Sequence, residues 1–255
     1  MTRLKSVSEI KQLREGGEIL SQVLKTVSEA ARPGVSVADL DQLAHQLISK
    51  QGGRPSFLNF KPDFSEEIFP ASLCVSINDV IVHGVPMAQM ILQKGDVVSL
   101  DVGMEYKKLY TDMAVTIALD PVKPVYKKLI QVTKDSLQKA IEVVRSGNTL
   151  GDIGYAIQSY VESNGFVVIQ NLGGHGVGYA VHEDPFVFNF GQPGQGLKLR
   201  PGMVIAIEPM VTLKSKDIKE HKDGSFSTED GEVSAHFEHT IAITQRGNVV
   251  ITAPR

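Results

Sequence analysis

Four acidic residues stand beside apolar, strand-forming stretches, an unusual setting for a carboxylate. Asp101 and Glu208 each end such a stretch, and Asp112 and Glu238 each precede one. Carboxylates are seldom fully buried without a partner. Any one of them alone would be explained most simply as an outward-facing strand residue. Four together are better explained by a positively charged ligand that they share.

Residues 97–118 are typical of two strands joined by a tight turn. Folding this stretch about the midpoint between Tyr106 and Lys107 predicts that Asp101 lies directly opposite Asp112 on one face. Residues opposed in this way have Cβ atoms about 5 Å apart, and like charges there repel. Because Lys107 belongs to the turn, a metal ion is the simplest cation to predict between the two carboxylates.

Three histidines stand in sequences that contain glycine or proline. His175 lies in Gly-Gly-His-Gly-Val-Gly, whereas His83 begins His-Gly-Val-Pro and His182 begins His-Glu-Asp-Pro. Glycine permits close backbone approach and unusual dihedral angles. A lone histidine is more often structural or exposed than a ligand. The glycines favour a metal-ligand role for His175 without deciding between the two interpretations.

Four carboxylates and one imidazole do not suit a closed structural zinc site, which prefers four ligands rich in cysteine. They suit two divalent ions, roughly 3.5–4 Å apart, that are bridged by carboxylates and keep open positions for water. The oxygen-rich set favours Mn, Fe or Co, and Zn is also compatible. A metal-activated hydroxide is a strong nucleophile near neutral pH, so the predicted chemistry is hydrolysis.

Helix caps and apolar periodicity predict the elements that must position these residues. Helices are predicted between Ser6 and Pro33, between Ser36 and Gly52, from about Val125 to Val144, and from Leu150 to Ser163. Strands are predicted near residues 72–83, 95–104, 109–118, 166–170, 203–211 and 233–244.

This order of long helix, shorter helix and strands occurs twice, and three sequence segments recur with it. The segments starting at Gly34, Leu92 and Asp112 match those starting at Gly147, Leu199 and Glu238. Chance could explain any single match, but three in the same order favour a duplication. We expect two pseudo-symmetric halves, about residues 1–118 and 119–255, that share one core as a single catalytic domain over 1–255.

The composition is that of an ordinary globular protein, with 42% hydrophobic residues and a formal net charge of -3. This charge argues against nucleic acid as a partner, because phosphate binding leaves a basic footprint. The single cysteine, Cys74, excludes an internal disulfide and fits a reducing compartment. The sequence has no apolar targeting segment and no apolar run long enough for a bilayer, so we expect a cytoplasmic protein without a membrane partner.

The five candidate ligands stand in motifs that resemble one family, the type I methionine aminopeptidases, over nearly the whole chain. The most specific motifs are Ser76-Ile-Asn-Asp-Val-Ile-Val-His-Gly, Gly174-His-Gly-Val-Gly, Ile207-Glu-Pro-Met and Ser234-Ala-His-Phe-Glu-His-Thr. The resemblance implies the pita-bread fold, an α/β (α+β) architecture in which two pseudo-symmetric halves form a curved antiparallel sheet flanked by helices. It also implies removal of the initiator methionine from nascent polypeptides, with a preference for a small second residue.

The resemblance implies two divalent metal ions per chain (Co, Mn, Fe or Zn) and a role for each ligand. Asp101 would bind one ion through both oxygens, and Asp112 and Glu238 would bridge the two ions. His175 and Glu208 would complete the shell of the other ion.

Three catalytic roles follow from the same resemblance. Glu208 would pass a proton from water to the leaving amine. His182 would stabilise the oxyanion or position the peptide carbonyl, and His83 would contact the substrate near the scissile amide. Neither histidine is expected to be a metal ligand. The free α-amine of the substrate would bind at the metal site, which restricts the activity to chain ends.

Cys74, Phe57, Phe60 and Phe69 are candidates for the substrate pocket, because sulfur and aromatic groups suit a thioether. Each could equally be an ordinary core residue. Some positions depart from the family pattern: the segment 57–70 is longer, Val181 replaces an aromatic residue, Ser225 a tryptophan and His236 a glutamine. We expect these changes to affect the pocket wall and rim rather than the metal ligands.

Two other functions are compatible with parts of the sequence. The segment from Gly174 to Glu183 also resembles X-Pro aminopeptidases and prolidases, which share the fold and ligands but normally carry an extra N-terminal domain. A non-catalytic binding protein of the same fold is disfavoured, because such proteins usually lose ligands and all five are present. For the favoured activity we expect a monomer whose partners are the N-termini of nascent polypeptides, with transient association with the ribosome.

Overall fold

The computed structural model describes residues 2–61 and 68–253. Its helices are α1 (Val7–Ala30), α2 (Val37–Lys50), α3 (Pro124–Val143) and α4 (Leu150–Ser163). Its strands are β1 (Arg54–Pro55), β2 (Cys74–Ile77), β3 (Val80–Val82), β4 (Val97–Tyr106), β5 (Leu109–Ala118), β6 (Val167–Val168), β7 (Gly173–Gly176), β8 (Glu183–Phe188), β9 (Val204–Ile207), β10 (Met210–Thr212), β11 (Ile218–Glu220), β12 (Phe226–Thr228), β13 (Ser234–His236), β14 (His239–Thr244) and β15 (Gly247–Val250). No helix in this described part is both long and apolar enough to cross a membrane.

All four predicted helices are confirmed, and their caps explain where they begin. The Ser6 hydroxyl accepts from the Glu9 amide while the Glu9 carboxylate accepts from the Ser6 amide, so the capping box at α1 is present. Thr149 and Asp152 form a second capping box at α4. Helix α3 begins with Pro124, whose missing N–H would have no partner at that position.

The strands form four antiparallel sheets, which agrees with the predicted mixed, antiparallel architecture. Two of the sheets carry or adjoin the candidate metal ligands: one contains β1, β4, β2 and β5, and the other has the order β15-β14-β9-β7-β8. Strands β1, β7, β8, β11, β12 and β15 lie outside the predicted strands. Strand β7 escapes prediction because three of its four residues are glycine, which sequence patterns associate with loops.

The turn of the β4–β5 hairpin corrects the predicted pairing of the two aspartates. Lys107 and Lys108 both have positive φ angles, 51° and 68°, and form the two-residue turn. Asp101 pairs with Ala114, and Asp112 pairs with Gly103. The prediction that the aspartates face each other directly is therefore wrong, because the turn is centred one residue later in the chain. They remain on the same face, displaced diagonally by two residues.

The two largest apolar clusters each lie between a helix pair and strands. In one cluster, Leu24 of α1 and Leu40 of α2 are buried together with Leu100 of β4. In the other, apolar residues of α3 and α4 are buried together with those of β9 and β14. A repeated backbone pattern also joins the N-cap of the second helix of each pair to a later loop. Ser36 bridges Ile91, and the corresponding Thr149 bridges Lys198. This correspondence supports the duplication, while the division into halves stays a prediction.

Hydrogen bonds between the two sheets lie directly at the acidic residues. The Thr240 hydroxyl accepts from the Asp112 amide at 2.9 Å and donates to the Asp112 carbonyl at 2.8 Å. The Glu238 amide donates to the Ala114 carbonyl at 2.9 Å. The backbone carrying Asp112 is therefore fixed against the backbone carrying Glu238.

Candidate active site

A cavity of about 640 Å³ contains every residue that the sequence singles out for the site. Its lining includes Phe57, Phe60, Phe69, Cys74, His83, Asp101, Asp112, His175, His182, Glu208 and Glu238. One side of this cavity is acidic and the other is aromatic and apolar. It can therefore hold both a charged group and a hydrophobic side chain.

Strand pairing explains how acids far apart in sequence meet. Asp101 and Asp112 project from one face of the β4–β5 hairpin. Glu208 follows the last residue of β9, and Glu238 precedes the first residue of β14. Because His239 pairs with Ile207 where these two strands meet, the two glutamates are brought to the same end of the sheet.

The ligand atoms form overlapping groups in which all atoms lie within 4.8 Å of one another. One group is Asp101, Asp112 and Glu238, and a second is His175, Glu208 and Glu238. Glu238 belongs to both, as a bridging ligand would. A third group contains Asp112, His175 and His182. Proximity alone would therefore also allow His182 to bind a metal.

Two glycines of β7 allow His175 to reach the acids. A Cβ atom at Gly174 would overlap the Ala206 carbonyl, and one at Gly176 would overlap the Asp184 carbonyl. The His175 Nδ1 lies 2.9 Å from the Gly176 carbonyl and is assigned as the donor. This tautomer leaves the Nε2 lone pair free, 3.6 Å from Glu208 and 4.0 Å from Asp112.

The electrostatics of the acids fit a bound cation. Burial and the neighbouring carboxylates raise the pKa of Asp112 and of Glu238 well above the ordinary values. Burial is also the main cause that raises the pKa of Asp101 and of Glu208 to about 7. Asp101 Oδ1 and Glu238 Oε1 are buried without a hydrogen-bond partner. Unpartnered buried carboxylate oxygens are costly, and divalent metal ions would satisfy them.

The two other predicted histidines lie on the same cavity but in different settings. His182 packs edge-on against His175, with ring centroids 4.5 Å apart, and against Phe60 at 5.1 Å. His83 has a positive φ of 59°, and its Nδ1 lies 3.4 Å from the Gly224 carbonyl. Desolvation is the main cause that lowers the pKa of half-buried His83 and of the more exposed His182, so each is a neutral imidazole at neutral pH.

The four predicted pocket residues form the apolar side of the cavity. Phe57, Cys74 and Val181 form a buried cluster, with Phe60 and Phe69 packed against it. Cys74 pairs with Asp101 across β2 and β4, which places the pocket beside the acids. These residues are thus both part of a core and part of the cavity lining. Of the long segment 57–70, residues 62–67 lie outside the described part of the chain.

His236 corrects the expectation that the unusual positions affect only the pocket wall and rim. Its side chain is buried, and its Nε2 lies 3.2 Å from Glu208 Oε2. It contacts a predicted metal ligand directly. No local sequence pattern predicts this contact, because it joins two residues that are distant in the chain.

Sequence reasoning also missed several residues that line the cavity. They are Val82, Asn171, Leu172, Gly173, Glu183, Asp184, Phe186, Met210, Glu220, Asp223, Gly224 and Phe226. Phe226 packs edge-on against His83, with centroids 5.9 Å apart. It lies on β12, which pairs with β3 beside His83, so predicting β12 would have found it.

Comparison with known proteins agrees with this geometry. Residues 11–245 match the model of metallopeptidase family M24. The methionine aminopeptidase of Aquifex aeolicus (strain VF5) is 43% identical over 254 residues, which is 98% of each chain. The crystal structure of methionine aminopeptidase from Thermotoga maritima has a TM-score of 0.94 and 39% identity, with 99% of each chain covered.

A more distant likeness concerns the fold alone. The prolidase from Pyrococcus horikoshii OT3 has a TM-score of 0.78 at 23% identity. The comparison covers 99% of this chain but 64% of the prolidase. The two proteins therefore share an architecture, and the likeness carries no information about the substrate of this chain.

Proposed function

This chain belongs to metallopeptidase family M24, and we propose that it removes the N-terminal methionine from peptides and nascent polypeptides, with a preference for a small second residue. The observation that carries the proposal is one cavity in which five candidate metal ligands adjoin an apolar wall of aromatic residues and Cys74. The acidic side suits metal ions and a free amine. The apolar side suits an unbranched thioether side chain.

We propose that Asp101, Asp112, His175, Glu208 and Glu238 hold two divalent metal ions, with Asp112 and Glu238 shared between them. Co, Mn, Fe and Zn are all compatible with one imidazole and four carboxylates. When bound, such ions lower the pKa of water and so supply a nucleophile for hydrolysis at neutral pH. The overlapping ligand groups and the unpartnered buried carboxylate oxygens support this arrangement.

The remaining roles belong to side chains of the protein. Glu208 accepts a proton from the attacking water and delivers it to the leaving amine. Neutral His182 donates a hydrogen bond to the carbonyl oxygen as negative charge develops there, and His83 contacts the substrate beside the scissile amide. Phe57, Phe60, Phe69 and Cys74 exclude water from around the methionine side chain.

The proposal includes the cellular setting of the enzyme. We propose a cytoplasmic monomer that meets nascent N-termini during transient contact with the ribosome. The free thiol of Cys74, buried beside the acids, is compatible with a reducing compartment. Sedimentation with and without purified ribosomes tests both the oligomeric state and the contact.

The decisive experiment is a release assay on Met-Ala-Ser and Ala-Pro-Ala. Metal-stripped protein is supplied separately with Co, Mn, Fe(II) or Zn. Release of methionine alone, dependent on added metal, is the expected result. Release of alanine from Ala-Pro-Ala would indicate a proline-specific peptidase instead. No release from either peptide with any metal would overturn the proposed activity and favour a non-catalytic binding protein.

A further inference from the structure

The N-terminal segment before α1 places a lysine beneath the loop that carries His182. Lys5 Nζ lies 2.6 Å from Glu183 Oε2, and the two side chains are only 1% and 7% exposed. The Lys5 amide also donates to the Gly202 carbonyl at 2.7 Å, which fixes the backbone of this segment. Lys5 and Glu183 therefore form a buried ion pair between residues distant in sequence.

Glu183 uses its second oxygen to fix the other end of the same loop. Glu183 Oε1 accepts from the backbone amides of Tyr179 and Ala180, the latter at 2.9 Å. The side chain of Glu183, the residue directly after His182, thus holds the start of the loop by hydrogen bonds. A Cβ atom at Gly178 would overlap Lys5 Cε, so the lysine side chain also packs directly under the loop.

His182 depends on this loop for its position. Its described ring contacts are edge-on packing against His175 and Phe60, and neither contact is a hydrogen bond. Such ring contacts contribute only modestly to stability, and they give the imidazole no hydrogen bond that would fix its orientation. The backbone of the loop must therefore supply the accuracy that a transition-state contact requires.

We propose that Lys5 is a positioning residue for His182, acting through Glu183 and the loop of residues 178–183. This inference rests on the proposed function only for the role of His182. Without Lys5, the Glu183 carboxylate would be buried without its cation and would be driven to turn towards water. Turning would release the Tyr179 and Ala180 amides, and the His182 ring would lose its fixed place.

A double-mutant cycle separates this role from a general effect on folding. Lys5→Met keeps most of the length of the side chain and removes its charge. We expect it to lower kcat on Met-Ala-Ser about tenfold, with KM and metal affinity changed by less than about twofold. In a His182→Ala background the same substitution should lower kcat by less than about twofold. Lys11→Met, on the exposed side of α1, is the matched control and should leave kcat unchanged.

Equal losses in both backgrounds would show that Lys5 acts on the fold alone and would overturn the proposal. Should Lys5→Met fail to fold, the Lys5→Met/Glu183→Gln pair removes both charges and keeps an oxygen that can accept from the loop amides. We expect this double variant to fold and to retain more activity than Lys5→Met. If Lys5→Met is unfolded, the double variant should still retain at least about a third of the wild-type kcat. Activity as low as that of His182→Ala in the folded pair would contradict a role of Glu183 in holding the loop.

Amide hydrogen exchange gives a readout that does not need activity. Exchange at Tyr179 and Ala180 should be at least about tenfold faster in Lys5→Met than in wild type, while exchange in α3 stays the same. Unchanged exchange in the loop would overturn the inference even if the protein is active. Inactive wild-type protein with the expected exchange would instead overturn the proposed function and leave the structural part of the inference standing.

Discussion

His236 Nε2 lies 3.2 Å from Glu208 Oε2, while His175 Nε2 lies 3.6 Å from the other oxygen, Oε1. Glu208 is thus flanked by two imidazoles, one for each oxygen of its carboxylate. His236 Nε2 is buried and makes no hydrogen bond of good geometry. A small rotation of the Glu208 carboxylate would supply that bond and leave Oε1 beside His175.

The contact predicts that His236 increases the affinity with which Glu208 binds metal. Replacing His236 with Leu removes the donor, and we expect metal affinity to fall about tenfold, as is typical when the partner of a ligand is lost. His236→Gln keeps a donor at similar reach and should lose less. Calorimetric titration with Mn measures both affinities. Equal affinities for wild type and His236→Leu would show that the contact has no influence on the metal.

Asp112 is expected to be essential because both ligand groups that contain an aspartate include it. Asp112→Ala should abolish methionine release. It should also lower the melting temperature in the presence of metal, because the variant loses the stabilisation that binding provides. Asp217→Ala, at an exposed aspartate, is the matched control. Glu238→Ala should behave like Asp112→Ala, and full turnover by either variant would contradict the dinuclear site.

His182 lies close enough to Asp112 and His175 to raise the question whether it binds metal. Its proposed role at the transition state predicts that His182→Ala lowers kcat by about a hundredfold or more while KM and metal content stay close to wild type. Elemental analysis of the purified variant, together with steady-state kinetics, checks this. Loss of one metal equivalent would identify His182 as a ligand instead.

The sequence was most informative where residue type and repetition both constrain the answer. The helix caps at Ser6 and Ser36 predicted α1 and α2, and the four acids at repeated positions predicted the cluster that the structure brings together. The sequence was less informative about strand register, because a shift of the turn by one residue at Lys107 changes which side chains pair directly. A period of two still placed Asp101 and Asp112 on one face.

The parts that sequence reasoning missed depend on contacts between distant segments. Strand β7 exists because its glycines fit between the carbonyls of β8 and β9, a constraint that no local pattern contains. The same holds for His236, which could be placed beside Glu208 only after β13 and β9 were positioned in space. Local periodicity therefore predicts elements, whereas close approaches between elements require the fold itself.

The raised pKa values predict how pH and metal removal act together on stability. In the metal-free fold the pKa of Asp101 and of Glu208 is about 7, whereas carboxyl groups of an unfolded chain titrate near ~4. Between these values the folded state holds more protons than the unfolded state, so this contribution makes the metal-free protein less stable as pH rises from about 4 to about 7. Metal binding requires the charged carboxylates, so it should release protons and strengthen with pH.

Thermal denaturation of chelator-treated protein at pH 5 and pH 8 tests this directly. We expect wild-type protein to lose more stability between these pH values than the Asp101→Asn/Glu208→Gln variant, in which the two titrating groups are replaced by neutral amides of similar shape. Adding Mn should raise the melting temperature of wild type more at pH 8 than at pH 5. Mn should change the melting temperature of the variant little at either pH. Identical pH dependence of wild type and variant would contradict the assignment of Asp101 and Glu208 as the groups that titrate.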